Sequence, residues 1–115
     1  LTIKLNCAEL ESLQVGVGVW IGDLEEQEDE GRALEEHLLY RRYHLRALRK
    51  RIGIKLAEKK EVTKDFRMQY SEVEIFTLLN CWHEEEDDLL IGILRSIMRK
   101  FHALFESQPV RLYVS

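Results

Sequence analysis

Val15-Gly16-Val17-Gly18-Val19-Trp20-Ile21-Gly22 is the stretch on which the fold turns. Its β-branched residues alternate with small ones, which argues for a strand. Each glycine also costs a helix interior about 1 kcal/mol. On either side the pattern is plainer. Upstream, Leu1–Asn6 alternates apolar and polar, as a half-buried strand does. Asn6 is followed three residues on by Glu9, a capping-box start for a helix whose face begins with Leu10 and Leu13. Downstream, Asp23–Glu30 is an acidic run, read as a loop passing into the next helix.

From Arg32 the period is helical. Leu34, Leu38, Leu45, Leu48 and Ile52 form one apolar stripe, and the helix is expected to end near Gly53, with Ile54–Lys60 either extending it or forming a short separate turn. Phe66–Tyr70 alternates again and reads as a second strand. Ser71 and Glu74 make a second capping box, and the helix they open is expected to end near Trp82. A second acidic run, His83–Asp88, leads into Leu89–Phe105, the most apolar helix. Pro109 stops it, and Val110–Val114 reads as a final strand.

An internal repeat bears on the ambiguous stretch. Ile3–Glu11 can be laid on Phe66–Glu74 at an offset of 63, apolar on apolar, basic on basic and Glu-x-Glu on Glu-x-Glu. Each copy continues to a Trp, Trp20 or Trp82, then to an acidic run. Each then has a long helix carrying a related tetrad, Arg41-Arg42-Tyr43-His44 and Arg99-Lys100-Phe101-His102. Because Thr77–Trp82 reads helical, the repeat favours helix for Val15–Trp20, with Trp20 and Trp82 each ending the first helix of its unit. The expected fold is therefore α+β. It is a single domain over residues 1–115, with pseudo-repeats at 1–60 and 64–107 and a C-terminal strand at 110–114. A sheet of two or three strands would be covered on one face by helices.

Composition narrows the function classes. At 115 residues the chain buries roughly two-thirds of its unfolded surface and needs no disulfide or metal staple. Six Gly and one Pro exclude collagen-like and low-complexity chains. No uncharged apolar run reaches the length of a membrane span, and no signal peptide is visible. The two cysteines, Cys7 and Cys81, read as reduced thiols of a cytoplasmic protein.

The net charge of −4 conceals segregation: Asp23–Glu36 sums to −7 and Arg41–Lys60 to +8. Carboxylates before a helix and cations towards its end complement the macrodipole, which is the structural explanation. The functional one is a basic face. Arg42, Arg46 and Arg49 share one side of the helix, with Lys50 beside them and Tyr40 and Tyr43 adding aromatic anchors. Tyr40, Arg42, Tyr43, Arg46, Arg49 and Lys50 are accordingly the candidate partner-binding residues. Such a face could also follow phosphates, so nucleic-acid binding through residues 41–60 is the alternative. The acidic surroundings and the lack of any nucleic-acid-binding signature count against it.

Catalysis finds no support. There is no Cys-x-x-Cys, His-x-x-x-His or nucleophile elbow, and Gly16-x-Gly18 lacks the third glycine of a phosphate loop. His37 and His44 share a helix face but lack the spacing of metal ligands. Cys81 and His83 are two apart and diverge on a helix. The expectation is a non-catalytic interaction or regulatory protein, self-associating or docking on a protein partner. No cofactor, metal or small-molecule ligand is indicated.

Overall fold

Asn6 closes the first strand and opens the first helix. Its side chain accepts from the Glu9 N–H at 2.7 Å, and Glu9 Oε1 accepts from the Asn6 N–H at 3.0 Å. Ser71 and Glu74 repeat this reciprocal cap at 3.1 and 2.8 Å. Each box satisfies two backbone donors that a helix N-terminus leaves free, so both starts fall where the sequence places them.

The structure, a computed structural model, describes residues 1–58 and 65–106. The element order is β1 (Thr2–Leu5), α1 (Cys7–Asp29), α2 (Glu36–Ala57), β2 (Phe66–Gln69), α3 (Glu72–Glu84) and α4 (Asp88–Glu106). This is an α+β fold of four helices and a two-stranded antiparallel sheet. The expected strand at 110–114 lies outside the described residues.

The Val15–Gly22 stretch is helix, and α1 runs through it without a break. Leu10, Leu13, Val17, Ile21 and Leu24 are buried at helical spacing, and this continuous stripe outweighs the glycines. Gly16 has a packing reason. A Cβ there would stand 2.7 Å from Leu94 Cδ1, so the missing side chain is what lets α4 approach α1. The acidic run to Asp29 is not a loop but the last two turns of the same helix. Trp20 therefore sits in mid-helix rather than ending it. The helix stops at Gly31, whose φ of +82° suits glycine. Gly31 N–H bonds Glu28 O at 2.9 Å and Arg32 N–H bonds Gln27 O at 3.1 Å, the paired bonds of a Schellman cap.

β1 and β2 pair with Thr2 opposite Gln69, Ile3 opposite Met68, Lys4 opposite Arg67 and Leu5 opposite Phe66. Ile3, Leu5, Met68 and Tyr70 are buried, whereas Thr2, Lys4, Arg67 and Gln69 are exposed. The period-2 alternation thus separates a core row from a solvent row. The four helices close a ring in which α1 touches α2 and α4, and α3 touches the same two. Inside it Leu13, Val17, Leu45, Leu48, Ile52, Leu78, Leu94 and Phe101 are almost completely buried. Each such side chain contributes roughly 1.5–3 kcal/mol by leaving water. Tyr70 meets Phe101 edge to face at 5.0 Å, tying the sheet to α4. Among the described residues no helix is long and apolar enough to cross a membrane.

Candidate functional site

The antiparallel packing of α1 on α2 decides what the charged blocks do. It lays the acidic end of α1 along the basic first half of α2. Glu25 Oε1 meets Arg46 at 2.9 Å, and Glu28 pairs with Arg42, whose side chain is largely covered. Carboxylates in the last turns of a helix oppose its macrodipole, so the dipole does not explain this block. Ion pairs to the neighbouring helix account for two of its carboxylates, Glu25 and Glu28. On the other flank of α2, Arg41 grips Glu84 with two bonds of 2.7 and 3.3 Å. Arg51 reaches the buried Glu74 and the carbonyl of Gln69.

The six candidate residues divide accordingly. Arg42 and Arg46 are engaged within the chain. Arg49 and Lys50 are exposed, with no ion-pair partner among the described residues. Tyr40 is 61% exposed and its hydroxyl bonds Glu36 at 3.3 Å. Tyr43 is 69% exposed, its ring edge-on to His44 at 5.4 Å. Arg42, Tyr43, Arg46 and Lys50 line one shallow groove of about 460 Å³ together with Leu39 and Ala47. Tyr40 and Arg49 stand outside it. Leu39 and Ile54, 43% and 53% exposed, extend the row at helical spacing from Tyr43. Sequence reasoning leaves both out, although Leu39 lies one turn before Tyr43. The signal is the failure of Leu39 to fit the stripe of Leu38, Leu45, Leu48 and Ile52.

A second concavity, of about 400 Å³, lies where α1, α2 and the end of α3 meet. Trp20, Asp23, Arg41, Cys81, Glu84 and Glu85 line it. Trp20 Nε1 donates to Glu85 Oε2 at 2.8 Å. Partial burial, then the charges of Glu85 and Glu26, pushes the Asp23 carboxyl above its ordinary range. The hydrogen bond from Arg41 draws the Glu84 carboxyl below its own. Burial pushes the Cys81 thiol up to about 12, against the nearby Arg41. Burial of this kind disfavours the thiolate, the reactive form of the side chain. Cys81 is buried and His83, two residues on, is exposed, so the two do not form a dyad. No cluster of three metal-ligating side chains occurs among the described residues.

No family model, curated protein or solved structure matches the chain.

Proposed function

We propose that this chain is a non-catalytic protein-interaction module that docks through the outward face of α2. The observation that carries this reading is the exposed row Leu39, Tyr43 and Ile54, flanked by Tyr40 and by Arg49 and Lys50, cations with no ion-pair partner among the described residues. Large apolar and aromatic side chains rimmed by charge are what interface cores are made of. The same face supports protein better than nucleic acid as its partner. Arg41, Arg42, Arg46 and Arg51 already hold carboxylates, which would repel a phosphate backbone. The buried Cys81 thiol, which forms no disulfide among the described residues, fits a reducing, cytoplasmic setting.

The same reading takes the fold as a doubled strand–helix–helix unit. Both capping boxes, the buried pairs Ile3/Met68 and Leu5/Tyr70, and the first helix starts recur 65 residues apart, two residues away from the offset of 63 at which the sequences align, so the equivalence rests on caps and burial and not on that alignment. Ile3 and Met68 also face each other across the sheet, as equivalent residues on a local twofold would.

The test is a photo-crosslinking amino acid at Tyr43 in the native host, with Glu58 as the control position. A discrete protein adduct at Tyr43 alone supports docking on this face. Absence of any adduct, together with tight duplex DNA or RNA binding at low salt, would replace it with the nucleic-acid reading.

A further inference from the structure

We infer that the docking face accepts a second copy of this chain, giving a twofold dimer in which α1 of each copy lies on α2 of the other. The inference rests on the docking reading above and names its partner.

The face is wider than α2. On α1 the core is met by Leu10, Leu13, Val17, Ile21 and Leu24, so Glu11, Val15, Gly22, Glu25 and Asp29 turn outward, and all five are exposed. The ion pair of Glu25 with Arg46, and Gln14 standing beside Gly53, fix how the two helices lie along each other. In that register Val15 is level with Ile54, and Gly22 with the segment between Arg46 and Lys50. The hairpin thus presents an apolar seam with Glu11, Glu25 and Asp29 along α1 and Arg46 and Lys50 along α2, Glu25 and Arg46 being already paired with each other in the single chain.

This arrangement selects the occupant by charge. A wholly acidic partner would meet the carboxylates of α1, and a wholly basic one the cations of α2. A second copy turned about an axis parallel to the helices sets each acidic strip on a basic strip. It also sets Val15 of each copy near Ile54 of the other. The same patch then serves both subunits, as closed twofold symmetry requires. A Cβ at Gly22 would meet nothing within 4 Å in the single chain, so that position is open for a neighbour's side chains.

Sedimentation velocity of the full chain up to about 100 μM tests this. The wild type should be dimeric at the upper end. Gly22→Gln fills open space in the monomer, so at a concentration where both chains are monomeric it should keep its helix content and match or exceed the wild-type thermal midpoint, while weakening the dimer at least about tenfold. Tyr43→Asp, at an exposed position, should do the same. Oxidising a mixture of Val15→Cys and Ile54→Cys chains should give the mixed crosslink in preference to either self-crosslink. A monomeric wild type at about 100 μM, a dimeric Gly22→Gln variant or self-crosslinks alone would each overturn the dimer. A monomer that still crosslinks from Tyr43 to another protein would overturn the dimer while leaving the docking reading standing.

Discussion

Trp20 and Glu85 lie 65 residues apart and are joined by a 2.8 Å hydrogen bond from indole Nε1 to a carboxylate oxygen. The indole is almost fully buried in the middle of α1, and Glu85 is the residue at which α3 ends. One bond therefore ties the two halves of the chain together at the mouth of the acidic cleft. Glu85 also accepts from the N–H groups of Glu86 and Asp87, fixing the turn into α4. Glu85→Ala leaves the indole N–H without its acceptor and should cost about 1–3 kcal/mol in urea unfolding. Glu85→Gln, which keeps a carbonyl oxygen, should cost less. Equal stability of the Ala variant and the wild type would show that the bond contributes nothing.

Two neighbouring carboxyls should respond to pH in opposite directions. Burial with the charges of Glu85 and Glu26 raises Asp23, so its ionised form works against folding at neutral pH, and that penalty disappears as pH falls through its folded value. The Arg41 hydrogen bond lowers Glu84, so its contribution is present above the ordinary carboxylate range and is lost as pH falls through its folded value. At pH 7 Asp23→Asn should therefore raise stability and Glu84→Gln should lower it. Both groups are well solvated, so each effect should stay below about 1 kcal/mol. Both variants should approach the wild type in acid. Thermal midpoints measured from neutral to acidic pH decide the matter, and a constant offset would rule out ionisation as the cause.

The Cys81 thiol, raised to about 12 chiefly by burial, should resist alkylation at pH 8 in the folded chain. Denaturant should expose it at an ordinary rate. Iodoacetamide labelling followed by mass spectrometry gives the comparison. Fast labelling at Cys81 without denaturant would mean the cleft opens readily.

What was legible in the sequence was what is local. The caps at Asn6/Glu9 and Ser71/Glu74, and the strand alternation, need only near neighbours, and they place four elements correctly. Whether Asp23–Asp29 was loop or helix was not local, because two of its carboxylates, Glu25 and Glu28, are held by arginines on another helix. The candidate face was half legible for the same reason. Tyr40, Tyr43, Arg49 and Lys50 are as exposed as their periodicity implies. Arg42 and Arg46 are drawn into pairs that only the hairpin register reveals.

The glycines of α1 should separate by sign. Gly18 and Gly22 have nothing within 4 Å of an added Cβ, so alanine at either should stabilise the monomer by about 1 kcal/mol through helix propensity alone. At Gly16 the same methyl would press on Leu94, which is fully buried and has no free direction to yield. Overpacking of this kind costs about 1–3 kcal/mol, which outweighs the propensity gain. Gly16→Ala should therefore be the destabilised member of the set. Chemical unfolding at a concentration where each variant is monomeric gives the ranking, and a stabilised Gly16→Ala would mean that α4 shifts away from α1 without penalty.

Lys4 and Arg67 are directly opposite on the exposed face of the two-stranded sheet, and neither has an ion-pair partner among the described residues. Like charges in this position repel, and an opposite pair gains roughly 0.2–1 kcal/mol over a neutral one. Lys4→Glu should therefore stabilise the fold, and so should Arg67→Glu. The double exchange Lys4→Glu with Arg67→Glu restores a like-charged pair and should forfeit the gain. The coupling should shrink as salt is raised, because both side chains are in solvent. A double-mutant cycle at low and high salt isolates it. A cycle that closes to zero at low salt would show that the two side chains bend apart and that the facing register carries no electrostatic strain.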